Sequence, residues 1–465
     1  MKNFVRIVLS LLFFLSFLSG SSKEVSKSKA KIVAGNFFSE RKTISTLKIV
    51  FGEDFTITQN NFPIFYVFNI NDGFIIISAD DAVYPVPGYS FEGNYSGENF
   101  PPAYKAWIKS YEDQIAYAIE NKHSATEEIK SIWEKYLTRD FIPAKSFISV
   151  DPLLYTTWGQ GCYYNSMFPE EEAGPCGHLY TGCVATAMGQ IMKYYNYPEH
   201  GSGSYGYDDP NYGWVYADFE NTYYNWTEME DHLEEENQAV AELLYHCAVS
   251  INSQFYPNGT GAIDTSVRYA LTEYFGYKQE AEFLWRDYYA GNWKALLRNE
   301  LNQNMPVLYG AVGEDKVYYG HTFVCDGYQD TAFFHFNWGW EGQYNGYYYL
   351  DTLTAGGYNF DLFHDAVVGI KPDISGINGS HLRENMLTIY PNPASDYLIV
   401  DLKEINAKSV EIILFDLSGK QVLTKQIFNN SNNDIKFKLP ELSGTFLLQV
   451  KCGAINYNRK VVLLK

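Results

Sequence analysis

The sequence predicts three folded segments, of which the first two mix helices with strands (α+β) and the third is a small antiparallel β-sandwich. A hairpin pattern followed by an amphipathic helix marks residues 23–145. A helix that begins with a cysteine, followed by later strands, marks residues 146–373, and short alternating apolar runs mark residues 383–465. A chain of 465 residues is too long for one compact core, which also favours several domains.

The N-terminus has the pattern of a secretory signal. Lys2 and Arg6 precede an apolar run over residues 7–18 and then small residues, and this run is too short to span a bilayer. We therefore predict a signal peptide over residues 1–22 and an exported protein. The net charge of −20 argues against nucleic acid as a partner.

The first segment carries ordered structure but no cluster of reactive residues. Its two apolar runs in "PIFYVFNINDGFIIISADD" are joined at Asn71-Asp72-Gly73, a turn sequence that favours a hairpin. The pair Pro101-Pro102 begins an amphipathic helix whose apolar positions run from Tyr104 to Ile119.

The stretch "TGCVATAMGQIMKYYNYP" (181–198) is the first sign of chemistry. Its apolar residues recur at helical spacing, and Asn196 and Pro198 end the helix. Cys183 lies at the N-terminus, where unpaired N–H groups and the helix dipole favour a reactive thiolate. A small buried cysteine that fills space beside a turn is the alternative.

A thiolate nucleophile needs a base, and His321, 138 residues after Cys183, is the candidate. The runs "HTFVCD" and "AFFHFNW" predict two strands joined by a five-residue loop. If Asp326 pairs with Ala332, then Asn337 lies opposite His321 and can orient its ring. Since side chains alternate, a slip of one residue would put Asn337 on the wrong face.

Three further residues complete the candidate site. His335 is a rival base on the same hairpin. We favour His321 as the base, because Gly320 leaves room for a substrate backbone beside it. Gln160, between two glycines in "WGQGCYYN", is a side-chain donor suited to an oxyanion.

The six cysteines have no regular spacing. One pair could be bridged, and the sequence does not say which of Cys162, Cys176, Cys247, Cys325 and Cys452 takes part. A zinc site is a weak alternative. Its four candidate ligands contain no C-x-x-C pair; they are Cys162, Cys176, His178 and Cys183.

The third segment differs in charge. Residues 383–465 carry 11 Lys and Arg against 8 Asp and Glu, a net +3, so the other 382 residues carry −23. Runs such as "DYLIVDL" and "TFLLQVK" predict a sandwich, and residues 374–382 have the composition of a linker.

Residues 150–373 resemble the streptopain family of secreted bacterial cysteine proteases. The nucleophile stretch, "GHTFVCDGY", "FHFNWGWEGQYNGYYYLD" and "DAVVGIKP" carry the resemblance, and "GFIIISADDAVYPVPGYS" looks like the family's propeptide. Cys162 and the short loop 352–361 depart from the family pattern. The resemblance implies a papain-like fold, no cofactor or metal, and these site residues: Cys183 as nucleophile, His321 as base, Gln160 as oxyanion donor, Asn337 as orienter, and Gly320 and Trp338 beside the substrate, with Trp338 shielding the His–Asn pair.

The last segment resembles the C-terminal sorting domain of type IX secretion substrates, through "IYPNPASDYLIVDL" and "RKVVLLK". These resemblances imply a secreted or surface endopeptidase made as a zymogen. Its partners would be protein substrates, its own propeptide as intramolecular inhibitor, and the outer-membrane secretion machinery. A Cys–His acyltransferase, or a surface adhesin with a vestigial protease domain, remains an alternative. An exposed reactive thiol also predicts that activity needs reducing conditions.

Overall fold

A computed structural model describes residues 22–42, 48–138, 147–312, 320–353, 363–373, 388–401, 409–416, 420–428, 434–440, 442–452 and 455–464. The predicted signal peptide up to residue 21, the predicted linker 374–382 and the loop from residue 354 to 361 lie outside these ranges. The chain divides into two compact units, residues 1–372 and 373–465. Within the described ranges, no helix is long and apolar enough to cross a membrane.

The first unit contains seven described helices and fifteen described strands. The helices are α1 (Lys27–Arg41), α2 (Pro102–Glu120), α3 (Glu127–Leu137), α4 (Cys183–Tyr195), α5 (Gln238–Ser250), α6 (Thr265–Glu273) and α7 (Trp293–Asn302). The strands are β1 (Phe51–Gln59), β2 (Phe62–Ile70), β3 (Gly73–Ser78), β4 (Gly88–Ser90), β5 (Ser149–Val150), β6 (Ser204–Asp209), β7 (Gly213–Asp218), β8 (Gln254–Tyr256), β9 (Gly259–Gly261), β10 (Glu282–Trp285), β11 (Val307–Val312), β12 (Gly320–Gln329), β13 (Phe333–Asn337), β14 (Gly346–Tyr349) and β15 (Phe363–Val368).

One antiparallel sheet runs through the first unit in the order β1-β2-β3-β4-β14-β13-β12-β11-β15-β10, with β5 added beside β12. The predicted hairpin is confirmed, because β2 pairs with β3 and Ile70 lies opposite Gly73. Pairing of β4 with β14 joins the N-terminal strands to those of the following segment. Residues 23–145 therefore extend the same sheet that carries His321 and Asn337.

The N-terminal segment also shares the core of the following segment. Trp107 and Tyr111 of α2 belong to one buried cluster with Phe323, Phe336 and Trp338. A second cluster joins α1 and α3 to β13 and β14, in the middle of the sheet. Aromatic side chains bury large areas, so these two shared clusters contribute much of the stability of the unit. The predicted helix after Pro101 is confirmed as α2.

The strands β12 and β13 pair as predicted, but the predicted register is wrong. Asn337 lies opposite Val324 rather than His321, a shift of three residues (324 − 321). The cause is that β12 runs on to Gln329, so that a short turn with Asp330 in the left-handed region (φ 58°) replaces the five-residue loop. This turn shifts the pairing by four residues, and the bulge between Cys325 and Gly327 reduces the shift to three at Asn337. An odd shift puts Asn337 on the opposite face of the sheet from His321.

The second unit is a small antiparallel β-sandwich, as predicted. Its strands are β16 (Thr388–Tyr390), β17 (Tyr397–Asp401), β18 (Ser409–Phe415), β19 (Gln421–Phe428), β20 (Asp434–Lys438), β21 (Gly444–Cys452) and β22 (Ile455–Leu463). They form one sheet in the order β16-β17-β20 and another in the order β19-β18-β21-β22. Leu398 and Val400 of the first sheet share a buried cluster with Ile412 and Leu448 of the second.

Candidate active site

The helix α4 begins at Cys183, as the sequence predicts, and ends before Asn196, which adopts the left-handed conformation (φ 48°). Gly182 precedes the helix with φ 86°, and a side chain there would approach the Thr260 carbonyl oxygen to 2.7 Å. This glycine is therefore required both by the backbone conformation and by the close approach of Thr260 in β9. Cys183 is a free, half-buried cysteine at the start of the helix.

The thiol of Cys183 is not poised as a thiolate in the full chain. Burial raises its pKa, and the negative charge of Asp264 raises it further. Hydrogen bonding by Thr322 and by the backbone N–H of Val184 acts in the opposite direction and lowers the pKa, without reversing the net increase. The sequence-based expectation of a thiolate is wrong for this form, because desolvation outweighs the effect of the helix N-terminus.

Removing the charge of Asp264 should make Cys183 more reactive. In the full chain, Asp264→Asn is expected to lower the pKa of the thiol, since a nearby carboxylate disfavours the thiolate. The measurement is the pH dependence of iodoacetamide labelling at Cys183, whose midpoint should move to lower pH. Glu273→Gln, which removes an exposed carboxylate from the C-terminal end of α6, should leave the midpoint unchanged. An equal shift in both variants would contradict the assignment.

Three neighbouring strands place one row of residues on the face of the sheet that meets Cys183. Gly310 of β11 lies opposite Thr322 of β12 and opposite Asp365 of β15. The Thr322 hydroxyl donates a hydrogen bond of 2.7 Å to Oδ1 of Asp264. Thr322 thus contacts the nucleophile and a carboxylate at the same time.

The adjoining row faces the other way and contains His321. Ala311 of β11 lies opposite His321 and opposite His364. Because successive side chains of a strand alternate between faces, His321 lies on the face of Phe323, which packs against Trp107 of α2 with ring centroids 6.1 Å apart. The full chain therefore does not bring Cys183 and the His321 imidazole together.

His321 is half-buried at the start of β12, and burial lowers its pKa, which favours the neutral imidazole. Among the residues that the structure describes, no side-chain hydrogen bond orients its ring. The expected bond from Asn337 is absent because Asn337 lies on the opposite face of the sheet. Asn337 instead donates to the Thr156 carbonyl oxygen at 2.7 Å and to Oε1 of Gln190 at 3.3 Å.

Gln160 lies beside the nucleophile. Its carbonyl oxygen accepts a 3.0 Å hydrogen bond from the backbone N–H of Thr181, two residues before Cys183. Its side-chain amide donates to the Gly339 carbonyl oxygen at 3.4 Å. The amide is thus held near the start of α4, where an oxyanion donor is needed.

The remaining candidates occupy different surroundings. Trp338 is 1% exposed and packs on Phe323 with ring centroids 4.6 Å apart, on the face of α2. Gly320 is exposed at the first position of β12. The rival base His335 lies 2.6 Å from Oδ1 of the buried Asp326, far along β12 from His321, so it has the contacts of a structural histidine.

Cys162 and Cys176 form a disulfide bond across a separation of 14 residues. Their sulfur atoms are therefore not available as zinc ligands, which rules out the alternative zinc set. The bond closes the loop that follows Gln160. Cys247 and Cys325 are free and buried.

Sequence reasoning missed Thr322, Asp264 and Asp365. Each is an ordinary residue in its own stretch, and Asp264 and Asp365 are 101 positions apart (365 − 264). Pairing of β11 with β12 and β15 places Thr322 and Asp365 on either side of Gly310, and Asp264, the residue before α6, meets them through the hydrogen bond from Thr322. No local spacing could have signalled this cluster.

Comparisons with known proteins agree with this architecture. Residues 158–348 match the family model described as the peptidase C10 family. Residues 22–115 match a Spi protease inhibitor model, and residues 388–464 match a secretion system C-terminal sorting domain. The sorting domain identifies an exported protein, secreted or retained at the cell surface.

Three relatives are informative. The chain is 36% identical over 380 residues to the thiol protease/hemagglutinin PrtT of Porphyromonas gingivalis, covering 75% of this chain but only 42% of that protein. It is 32% identical over 339 residues to streptopain of Streptococcus pyogenes, covering 66% of this chain and 80% of streptopain. A prointerpain A fragment of Prevotella intermedia matches with a TM-score of 0.57 and 32% identity, covering 70% of this chain and all of the fragment.

The catalytic segment is thus a papain-like cysteine protease domain, and an inhibitor-like segment precedes it. These matches confirm the resemblance read from the motifs around Cys183 and His321. The chain belongs to the peptidase C10 family.

Proposed function

We propose that the whole chain is a cysteine endopeptidase made as a zymogen, with residues 23–145 as propeptide, 146–373 as catalytic domain and 383–465 as sorting domain. The observation that carries the proposal is a free cysteine at the first residue of α4, in contact with the strand that carries His321. The shared sheet and core of residues 23–145 support their role as an intramolecular inhibitor.

In the processed enzyme, the Cys183 thiolate attacks the carbonyl carbon of a substrate peptide bond. The Gln160 amide and the backbone N–H of Cys183 donate hydrogen bonds to the oxyanion. Protonated His321 transfers its proton to the leaving amine as the C–N bond breaks, which leaves a thioester on the sulfur. Water, deprotonated by His321, then hydrolyses the thioester and restores the thiol.

The full chain is latent because His321 faces α2, while Thr322 takes the hydrogen-bonding position beside the Cys183 thiol. Loss of residues 23–145 removes Trp107 and its neighbours from the His321 face. The start of β12 can then turn so that the imidazole replaces Thr322 beside Cys183. Asn337 and Trp338 take their proposed orienting and shielding roles only in this rearranged form.

Cleavage of casein by the purified, processed protein tests the proposal. Cys183→Ala should abolish cleavage, because no other group described near the start of α4 can form the thioester. Cys247→Ala, which changes a free cysteine buried away from the site, should keep the activity. Retained cleavage in Cys183→Ala would overturn the assignment. N-terminal sequencing of secreted wild type and Cys183→Ala tests self-processing, since trimming of both near residue 145 would assign maturation to another protease.

A further inference from the structure

We infer that Gln190, in the middle of α4, is a positioning residue that fixes Gln160, the proposed oxyanion donor, relative to Cys183. This inference deepens the proposed function and rests on it. Gln190 follows Cys183 by seven residues (190 − 183), which is two helical turns, so both lie on one side of α4. The two residues are about 10 Å apart along the helix axis. Gln190 therefore acts through other residues and not on the substrate itself.

The side chain of Gln190 is a buried amide in an apolar part of the helix. The residue is 0% exposed, and its neighbours in α4 are buried apolar residues such as Ala187, Met188 and Ile191. Burying an amide costs free energy unless its polar atoms are hydrogen-bonded. The hydrogen bonds of this amide therefore decide what Gln190 does.

The Gln190 amide connects two separate segments of the chain. Its Oε1 accepts a 3.2 Å hydrogen bond from the backbone N–H of Trp158, two residues before Gln160. Oε1 also accepts a 3.3 Å bond from Nδ2 of Asn337, and the Gln190 Nε2 donates back to Oδ1 of Asn337 at 3.4 Å. Both partners are buried, so bulk water does not compete for these bonds.

Backbone groups fix which end of each amide is the acceptor. The Trp158 N–H is a donor, so the oxygen atom of the Gln190 amide must face it. Nδ2 of Asn337 donates to the Thr156 carbonyl oxygen at 2.7 Å, and Oδ1 accepts a 3.1 Å bond from the Gly339 N–H. Neither amide can turn over without placing donor against donor or acceptor against acceptor. The pair therefore has one arrangement.

Gln160 lies between the two segments that the amide pair connects. Trp158 fixes the backbone two residues before it. Asn337 fixes Gly339, whose carbonyl oxygen accepts the 3.4 Å hydrogen bond from the Gln160 side chain. The position of the oxyanion donor is therefore set from both sides by a residue of the helix that begins with Cys183.

The arrangement does not depend on the propeptide. Every hydrogen bond between Gln190 and Gln160 joins two residues of the catalytic segment. Asn337 also lies on the face of the sheet that meets Cys183, opposite to the face that α2 covers. Loss of residues 23–145 therefore removes none of these bonds. When His321 turns toward Cys183, it reaches the face on which Asn337 is already held.

The test is a double-mutant cycle in the processed enzyme that combines Gln190→Met with Gln160→Ala, measured with one fluorogenic peptide. Methionine is similar in size to glutamine but makes none of the amide hydrogen bonds. We expect Gln190→Met alone to lower kcat by about tenfold or more and to change KM by less than about twofold, because a displaced oxyanion donor weakens binding of the transition state only. In the Gln160→Ala background, the same substitution should lower kcat by less than about twofold, since the donor that it displaces is already absent.

Gln329→Met is the matched control. Gln329 is also a buried glutamine, but it lies at the last residue of β12, and its substitution should leave kcat and KM unchanged. All chains are matured with immobilised wild-type enzyme, so slow self-cleavage of a variant does not affect the comparison. Circular dichroism gives the folded fraction by which each kcat is divided. Gln190→Glu keeps the size of the side chain and an acceptor for the Trp158 N–H, and it enters the same cycle if Gln190→Met does not fold.

An equal loss of kcat in both backgrounds would overturn the inference, because a general disturbance of packing does not require Gln160. An unchanged kcat in Gln190→Met would overturn it as well. A fully active Gln160→Ala enzyme would remove Gln160 from the proposed mechanism, and the inference with it. Failure of the wild-type enzyme to cleave peptide or casein would instead overturn the proposed function as a whole.

Discussion

Replacing His321 by alanine should lower kcat/KM of the processed enzyme by about two to four orders of magnitude, the usual contribution of a general acid–base group. The leaving amine then lacks a proton donor, and the thioester lacks a base to activate water. The stability of the full chain should change little, because His321 is half-buried at the start of β12 and its ring has no hydrogen-bond partner among the described residues. Casein or peptide hydrolysis and thermal unfolding measure the two effects separately.

His335→Ala is the matched control for this experiment. His335 pairs with Asp326, which is 0% exposed, so its loss leaves a buried carboxylate with one fewer partner. We expect lower stability in His335→Ala, with hydrolysis retained by the folded fraction. The reverse result, a stable but inactive His335→Ala together with an active His321→Ala, would make His335 the base.

Trp107→Ala should destabilise the full chain by about 3–5 kcal/mol, the usual cost of truncating a buried tryptophan. Trp107 is 3% exposed, its ring centroid lies 4.9 Å from that of Phe336, and its indole N–H donates to the Tyr111 hydroxyl at 2.7 Å. Since it covers the face of the sheet that carries His321, the variant should also mature faster. Denaturant unfolding in a Cys183→Ala background, which prevents self-cleavage, measures the stability.

Trp214→Ala provides the control for tryptophan truncation. Trp214 is 69% exposed on β7, so its loss should change the free energy of unfolding by no more than about 0.5 kcal/mol. Maturation rates of both variants are compared in chains that retain Cys183. A Trp107→Ala chain as stable and as slow to mature as Trp214→Ala would show that α2 does not restrain the site.

Local pattern was sufficient for the elements of the fold. The helix at Cys183, the hairpin at Asn71–Gly73 and the helix after Pro101 each depend on spacing and turn residues within a short stretch, and all three are confirmed. The terminal sandwich follows from alternation in the same way.

Long-range placement was not predictable in the same way. The bulge in β12 and the turn at Asp330 set which residue faces Asn337, and neither has a clear sequence signal. The raised pKa of Cys183 depends on burial and on Asp264, which the fold brings in from 81 residues away (264 − 183). The motifs identified the candidate site residues. Strand register determines which face of the sheet each side chain lies on, and burial determines the pKa of the Cys183 thiol.

The bond between Cys162 and Cys176 has a practical consequence for handling the enzyme. It fastens the loop that begins two residues after Gln160, the proposed oxyanion donor. A reductant added to keep Cys183 free can also open this loop, and so loosen the amide that the reaction needs. Turnover should therefore be highest at an intermediate concentration of reductant. That concentration keeps the Cys183 thiol reduced and leaves the Cys162–Cys176 disulfide intact.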